Sequence, residues 1–221
     1  MNLEELSNKI ATRFGHLLEQ SIVACGELTI LVASQHLHEI CYALRDEPDF
    51  DFKLLIDVCG VDYLEYGIAE WETESATATG FERGVERDVL QDKPRKEPRF
   101  ASVYHLLSLN NNQRIRIRVP LSEADLKVPS VVAIWPAANW FEREAFDLFG
   151  IVYTGHPDLR RLLTDYGFIG HPFRKDFPLI GNWEARYDAK SQRIVYEPVS
   201  IQARILEPKV IRHDNRYRVE E

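Results

Sequence analysis

The sequence has few of the residues that hold redox centres. It contains three cysteines and one methionine in 221 residues, and Cys25, Cys41 and Cys59 form no CxxC pair. A four-thiolate iron–sulfur cluster needs one cysteine more, and each of the three lies in an apolar stretch, where a buried thiol is the ordinary finding. No glycine-rich nucleotide fingerprint follows a predicted strand. We therefore expect a chain without a redox centre of its own and, in a reducing compartment, without a disulfide.

Long apolar runs and an excess of positive charge are also missing. No segment approaches the roughly 20 apolar residues of a membrane span, and the N-terminus has no signal-peptide pattern. We expect a cytoplasmic chain that reaches a membrane only through a partner. Its 27 basic and 35 acidic residues give a net charge of −8, which argues against a nucleic-acid partner because such proteins carry a basic surface.

Hydrophobic periodicity predicts an α+β fold, with N-terminal helices packed on a small mixed or antiparallel sheet and an extended C-terminal tail. Helical spacing predicts helices over 3–18 and 34–45, the second capped by Ser34. Ser130 is placed to cap a short helical stretch, 131–135. Strands are predicted by alternation or by continuous apolar runs. They cover 27–33, 52–61, 100–109 and 113–119, and the last two form a hairpin that turns at Asn110–Asn112.

Polar residues within the predicted strands have structural interpretations. A row of arginines on the last strand predicts a solvent-facing side of the sheet that meets acidic neighbours, in preference to a phosphate site. A histidine in an apolar strand is more often a core residue than a ligand, and two aspartates near a strand end are interpreted as turn or edge residues. These residues are Arg114, Arg116, Arg118, His105, Asp57 and Asp62.

Two segments depart from the globular pattern. Residues 65–99 are rich in charged residues, glycine and threonine and predict a mobile insertion. Beyond Gly181 the apolar residues come in short groups broken by Pro198 and Pro208, which favours an extended arm. We predict one domain, residues 1–180, and an arm, residues 181–221, that packs on a partner subunit. A protease should then cut the arm quickly in the isolated chain.

The stretch from Asn139 to Leu179 mixes charge, aromatic rings and glycine–proline turns more densely than any other. Helical spacing predicts a helix from Trp140 to Phe149, with Gly150 as its left-handed C-terminal residue. Glu144 falls on the arc of the helical wheel that contains the apolar residues. We therefore predict a buried Glu144 that pairs with a nearby arginine. The apolar arc comprises Trp140, Phe141, Ala145, Leu148 and Phe149, and the candidate partners are Arg160, Arg161 and Arg174.

The same stretch carries a family resemblance. Glu142-Arg143-Glu144, Asp147-Leu148-Phe149, His156, Arg160 and Leu162-Leu163 at this spacing closely resemble the signature of the C subunit, or 30 kDa subunit, of respiratory complex I. This complex is the proton-pumping NADH:quinone oxidoreductase. The continuation TDYGFIGHPFRKDFPLIG, the later RYD and the tail pattern around 196–212 resemble the same family.

The resemblance implies a scaffold subunit of the hydrophilic arm, peripheral to the cytoplasmic side of the bacterial inner membrane. It implies docking on the large D subunit, which forms the quinone site with the B subunit. FMN, the iron–sulfur clusters and the quinone would belong to other subunits, and no catalytic, cofactor-binding or metal-binding residue is expected here. The residues expected to dock are Glu142, Arg143, Glu144, Asp147, His156, Arg160, Arg161, His171, Arg174, Lys175 and Asp176.

Other functions remain open on the residues. Related subunits occur in membrane-bound hydrogenase-type complexes, although the GHPFRKDFPL continuation favours the respiratory form. A free-standing structural protein would explain the turns but not the unburied tail. A metal-dependent hydrolase is disfavoured because no HExxH motif is present. In addition, a basic pair follows His156 and another follows His171, and these pairs would repel a metal cation. Such an enzyme would use Glu142, Glu144, Asp147, His156 and His171.

Overall fold

The computed structural model describes residues 3–64, 66 and 98–201, which belong to two compact units. The first unit contains residues 3–64 and 98–177, and the second contains residues 66 and 178–201. The predicted insertion at 65–99 and the arm beyond residue 201 lie almost entirely outside the described residues.

The described part of the first unit is an α+β fold of three helices, one five-stranded sheet and one short strand pair, as predicted from the periodicity. No helix in the described part of the chain is long and apolar enough to cross a membrane. In chain order the elements are α1 Leu3–Phe14, β1 Leu18–Ala24, β2 Glu27–Val32, α2 Leu37–Asp46, β3 Leu54–Asp62, β4 Phe100–Ser108, β5 Gln113–Leu121, β6 Lys127–Pro129, α3 Ala138–Phe149 and β7 Val152–Thr154.

The five-stranded sheet is mixed, with strand order β1-β2-β5-β4-β3. Strands β2 and β5 run parallel, and the other neighbours are antiparallel. The predicted hairpin is confirmed as β4 and β5, and Asn112 adopts a positive φ of 48° in its turn. Strands β6 and β7 form a separate parallel pair just before and after α3.

One face of the sheet supports the hydrophobic core. Alternate residues of β2 and β5, such as Ile30 and Ile117, are fully buried together with Ile10 of α1 and Ile40 of α2. The intervening residues of β5 carry the predicted arginine row. Arg116 pairs with the Glu27 carboxylate, so the acidic-neighbour interpretation is confirmed for that residue.

Several local predictions were wrong because tertiary contacts override local periodicity. The first helix ends at Phe14, and Leu18 begins strand β1, which was not predicted. Ser34 caps no helix: it opens a short 3₁₀ turn, and its hydroxyl donates to the Lys127 carbonyl at 3.3 Å. Residues 131–135 form a single turn and not a helix, because Ile134 and Trp135 both donate to the Val131 carbonyl.

Strand β3 is less buried than its apolar run predicts. It is an edge strand of the sheet, and Leu54 and Ile56 are exposed. His105 of strand β4 was predicted to be a core histidine. It lies half-buried on the sheet face that carries the β5 arginines, where Arg116 Nε donates to its Nε2 atom at 3.0 Å.

The second unit contains a hairpin where the sequence predicted an extended arm. Strands β8 Trp183–Asp188 and β9 Arg193–Pro198 pair antiparallel, from Trp183 opposite Pro198 to Asp188 opposite Arg193. Pro198 lies at the end of β9, where the missing N–H of proline breaks no interior ladder.

A capped helix end as the candidate docking site

Helix α3 ends as predicted at Gly150. The Gly150 N–H donates to the Phe146 carbonyl at 2.9 Å, and the glycine adopts φ 78°. A methyl group at this position would lie 2.5 Å from Arg174 Nη2 and 2.7 Å from His171 Nε2. Glycine is therefore required both by the left-handed backbone and by the close approach of the residues that follow. We call residues 156–177, which cover this helix end, the cap loop.

Helix α3 buries Ala145 and Leu148 of the predicted apolar arc, but it also buries charged residues of the opposite side. Glu142 and Asp147 are fully buried and Arg143 nearly so, whereas Trp140 is 67% exposed and Glu144 is exposed. The prediction that Glu144 is buried was therefore wrong. Within residues 3–64, 66 and 98–201, Glu144 forms no ion pair. Glu142 is buried because the Ser130 hydroxyl and the Val131 N–H donate to it, and Asp147 is buried because the cap loop supplies its donors.

Asp147 is the main anchor of the cap loop. Its Oδ2 atom accepts three consecutive backbone N–H groups, from Leu162 at 3.0 Å and from Leu163 and Thr164 at 2.8 Å. Its Oδ1 atom accepts Arg161 Nη1 at 2.8 Å and the Thr164 hydroxyl. Burial alone would raise the pKa of Asp147, but the hydrogen bonds and the arginine hold the pKa well below the ordinary range. The carboxylate is therefore charged at neutral pH.

The cap loop also satisfies the last carbonyls of α3, which have no partner within a helix. His171 Nδ1 donates to the Asp147 carbonyl at 2.9 Å, and the Phe173 N–H donates to the Leu148 carbonyl at 3.2 Å. Arg174 Nε donates to the Phe149 carbonyl at 2.7 Å. A cation at this end is also favoured by the helix dipole. Burial lowers the pKa of His171, which favours the neutral ring.

Two further side chains fix the start of the loop. Arg143 donates from Nε to the Arg160 carbonyl at 3.2 Å and from Nη2 to the Arg161 carbonyl at 3.1 Å. His156 accepts the Asp158 N–H on Nδ1, so its Nε2 carries the proton and donates to the Asn139 carbonyl at 3.1 Å. The signature residues thus hold backbone groups of the loop.

A second buried carboxylate anchors the far end of the loop, and sequence reasoning missed it. Asp62, predicted to be a turn or edge residue, pairs with Arg99 through two hydrogen bonds of 2.9 Å and accepts the Lys175 N–H at 2.9 Å. Arg99, assigned to the insertion, also pairs with Asp176 at 2.9 Å and with Glu123. Burial would raise the pKa of Asp62, but the Arg99 guanidinium and the backbone donors lower it. Asp62 ends β3 and Arg99 precedes β4, so a predicted pairing of these strands would have brought the two together.

Glu142 differs from both aspartates. Its Oε2 atom accepts the Ser130 hydroxyl at 2.6 Å and its Oε1 atom accepts the Val131 N–H at 2.7 Å, and no cation pairs with it within the described ranges. Burial raises the pKa of Glu142 to about 7, and the two hydrogen bonds offset only part of that rise. Glu142 ties α3 to the turn that precedes it.

The outer side of the cap loop carries four large apolar side chains beside its charged residues. Leu163, Tyr166, Ile169 and Phe173 are between 60% and 91% exposed. The loop therefore directs several polar groups inward and exposes four large apolar side chains among charged ones, more than a surface loop usually exposes. Exposed apolar side chains on a firmly anchored backbone are typical of a protein interaction site.

The predicted docking residues divide into two groups. Glu144, Arg160, Lys175 and Asp176 are exposed. The others are buried or half-buried, and most of them hold the cap loop from inside: Glu142, Arg143, Asp147, His156, Arg161, His171 and Arg174.

The five residues weighed for a hydrolase do not converge on a common centre. Glu142, Asp147 and His156 are engaged with groups outside the set, His171 donates to the backbone carbonyl of Asp147 and not to its carboxylate, and Glu144 faces solvent. A different set, Asp57, Cys59 and His105, places its potential ligand atoms within 4.8 Å of one another. The lone pair of His105 Nε2 accepts from Arg116, so a metal at that atom would have to displace a cation.

Together the fold and the site define an α+β protein in which the signature residues anchor a loop over the C-terminal end of a helix. Residues 30–182 match the family model of the respiratory-chain NADH dehydrogenase 30 kDa subunit, and the chain belongs to this family. The family predicted from the signature is confirmed.

Individual relatives agree with this assignment. The C subunit of NADH-quinone oxidoreductase from Coxiella burnetii is 59% identical over 216 residues, which cover 97% of this chain and 95% of the relative. The protein of the same name from Legionella pneumophila is 56% identical over 214 residues, covering 97% and 94%. A chain of an archaeal membrane-bound sulfane sulfur reductase shares the fold at 18% identity, with a TM-score of 0.51, covering 80% of this chain and 86% of that chain.

Proposed function

We propose that this chain is a non-catalytic scaffold subunit of the hydrophilic arm of a proton-translocating NADH:quinone oxidoreductase. It docks on the large D subunit, close to the B subunit that completes the quinone site, on the cytoplasmic side of the bacterial inner membrane. FMN, the iron–sulfur clusters and the quinone are carried by other subunits. High identity over nearly the whole chain favours this respiratory role over a hydrogenase-type complex.

The observation that supports docking most strongly is the inverted polarity of the cap loop. Its backbone is held by Asp147 at one end and by Asp62 at the other. Its exposed apolar side chains are therefore arranged before any partner arrives, which lowers the entropy lost on binding. A partner that covers Tyr166 and Ile169 would remove apolar area from water without reordering the loop.

Substitution of Ile169 tests this surface. Ile169 is 72% exposed, and Leu109, at the turn of the β4–β5 hairpin, is 71% exposed and serves as a matched control. With the tagged chain expressed in its native host, Ile169→Ser should reduce the amount of the large partner that co-purifies by about tenfold, as for an interface anchor. Leu109→Ser should leave co-purification within about twofold of wild type.

The two variants should have similar thermal stability as isolated chains, since both side chains are exposed. Equal co-purification of the two would refute docking through the cap loop. If the wild-type chain co-purifies with no redox protein, the scaffold role itself is wrong.

A further inference from the structure

The turn that precedes α3, residues 130–135, joins α2 to α3. From α2, His38 Nε2 donates to the Ser130 carbonyl at 2.7 Å. From α3, Glu142 accepts the Ser130 hydroxyl at 2.6 Å and the Val131 N–H at 2.7 Å. Ser130 is therefore held from both helices at once. We call His38, Ser130, Val131 and Glu142 the turn clamp.

Glu142 lies among buried groups that are neutral. Cys41 of α2, Tyr104 of β4 and Tyr153 of β7 are at most 2% exposed. Burial raises the pKa of all three groups, and the charge of Glu142 raises each pKa further. The thiol and both hydroxyls therefore keep their protons at physiological pH. None of them can balance the charge of an ionised Glu142.

The cations nearest in the chain or on the neighbouring elements are directed elsewhere. Arg45 of α2 pairs with the aspartate that follows it, and Arg143 of α3 donates to two carbonyls of the cap loop. Lys127 of β6 is exposed, and so is His38, the second titratable group of the turn clamp. In the part of the chain that the structure describes, Glu142 therefore has two hydrogen bonds and no ion pair.

The buried cluster also contains an unsatisfied hydroxyl. The Tyr104 hydroxyl, beside Ser102, completes no hydrogen bond among residues 3–64, 66 and 98–201. The Ser102 hydroxyl bonds the Tyr153 hydroxyl at 2.9 Å. A buried hydroxyl without a partner is costly, and so is a buried charge without one. Water that enters the cluster would bind both groups, which favours local opening once Glu142 is charged.

We propose that the turn clamp is a pH-sensitive contact between α2 and α3, closed by the proton on Glu142 and loosened when that proton is lost. Loosening detaches the Ser130–Val131 backbone from Glu142 while the cap loop stays folded, a local opening and not global unfolding. The pKa of Glu142 is about 7 in the closed turn, and an opened, hydrated carboxyl returns to its ordinary range. Opening therefore becomes more favourable as pH rises toward 7 and is nearly constant above it.

Hydrogen exchange of single backbone amides in the full-length chain tests the proposal. The Val131 N–H donates to Glu142, whereas the Leu163 N–H donates to Asp147, which stays charged throughout. After correction for the base catalysis of exchange, the opening constant at Val131 should rise about fiftyfold between pH 5 and pH 8. The opening constant at Leu163 should stay within about threefold. In Glu142→Gln the rise at Val131 should disappear.

Two further variants separate the titrating groups. Ser130→Ala removes one of the two donors of Glu142 and should extend the rise at Val131 to higher pH. His38→Gln removes the other titratable group of the turn clamp and should leave the rise in place. A rise that persists in Glu142→Gln, or one that disappears in His38→Gln, would overturn the proposal.

An equal rise at Val131 and Leu163 would also overturn the proposal, because it would report unfolding of the whole domain. If Glu142→Gln does not fold, the other two variants decide. An unchanged pH profile in Ser130→Ala would then show that Glu142 does not control the turn.

Discussion

The core under the sheet and the cap loop are stabilised in opposite ways. In the core, side chains such as Ile30 and Ile117 are buried because they are apolar. Under the cap loop, the buried Asp147 carboxylate and the half-buried Arg161 guanidinium bind backbone groups of the loop, whereas Ile169 faces solvent. The core is held by removal of apolar area from water, and the loop by charged groups that satisfy backbone polar atoms. The difference shows that the side of a segment that is buried depends on the hydrogen-bond and charge partners around it as much as on its hydrophobicity.

The same contrast separates the two buried carboxylates of α3. Asp147 receives three N–H groups, a hydroxyl and a guanidinium, whereas Glu142 receives one hydroxyl and one N–H. The pKa of Asp147 therefore falls and the pKa of Glu142 rises to about 7. Burial raises the pKa of both carboxylates, and only Asp147 has enough donors, including a guanidinium, to outweigh that rise.

Removal of Asp147 should have the largest effect. Asp147→Ala removes the carboxylate that pairs with Arg161 and leaves three backbone N–H groups without their acceptor, and should lower the free energy of unfolding by about 3–5 kcal/mol. Asp158→Ala is the control, because Asp158 pairs with Arg160 on the exposed surface of the same loop and its loss should change stability little. Chemical denaturation measures both, and cleavage after Arg160 reports loosening of the loop. Similar costs for the two variants would contradict the anchoring role of Asp147.

Glu142→Gln should have a pH-dependent effect of the next size. The pKa of Glu142 is higher in the folded state, at about 7, than its ordinary 4.5. Between pH 4.5 and pH 7, Glu142 is therefore protonated in the folded chain and ionised in the unfolded chain. Protonation stabilises the folded chain fully below pH 4.5, and this stabilisation is lost as pH rises through 7. As pH rises from 4 to 8, the free energy of unfolding of the Gln variant should therefore increase relative to that of wild type by on the order of 2–3 kcal/mol. Denaturation across this range measures the gain, and a constant difference would show that Glu142 does not titrate there.

An effect of similar size, independent of pH, is expected where the helix meets the loop. Gly150→Ala combines a positive φ with contacts to Arg174 and His171, and should cost about 2–3 kcal/mol. Gly26→Ala has a similar φ of 76° and nothing within 4 Å of the added methyl, so it should cost only about 1 kcal/mol. The difference between their melting temperatures isolates the close approach of the cap loop, and equal melting temperatures would contradict it.

The smallest effect is expected at Glu144. Because Glu144 is exposed, Glu144→Ala should change the free energy of unfolding by under about 0.5 kcal/mol. Glu142→Ala should cost several times more, because it leaves the Ser130 hydroxyl and the Val131 N–H without their acceptor. Parallel denaturation of the two variants checks this order, which reverses the one predicted from the helical wheel.

Periodicity and turn chemistry by themselves determined several parts of this protein. They predicted the α+β class, the β4–β5 hairpin at Asn110–Asn112 and the end of α3 at Gly150, because each follows from residues that are neighbours in the chain. The spacing of the Glu142 to Leu163 signature was also sufficient to assign the family.

Only the tertiary structure decided which side of α3 is buried, where Asp62 and Arg99 meet, and how the tail pairs as β8 and β9. Asp147 is buried because donors arrive from residues 161–164, and Arg99 lies 37 positions from Asp62 along the chain. A helical wheel ranks residues by transfer from water and includes no partner from a distant segment. The wheel therefore placed Glu144 inside, whereas the donors of the cap loop place Asp147 there.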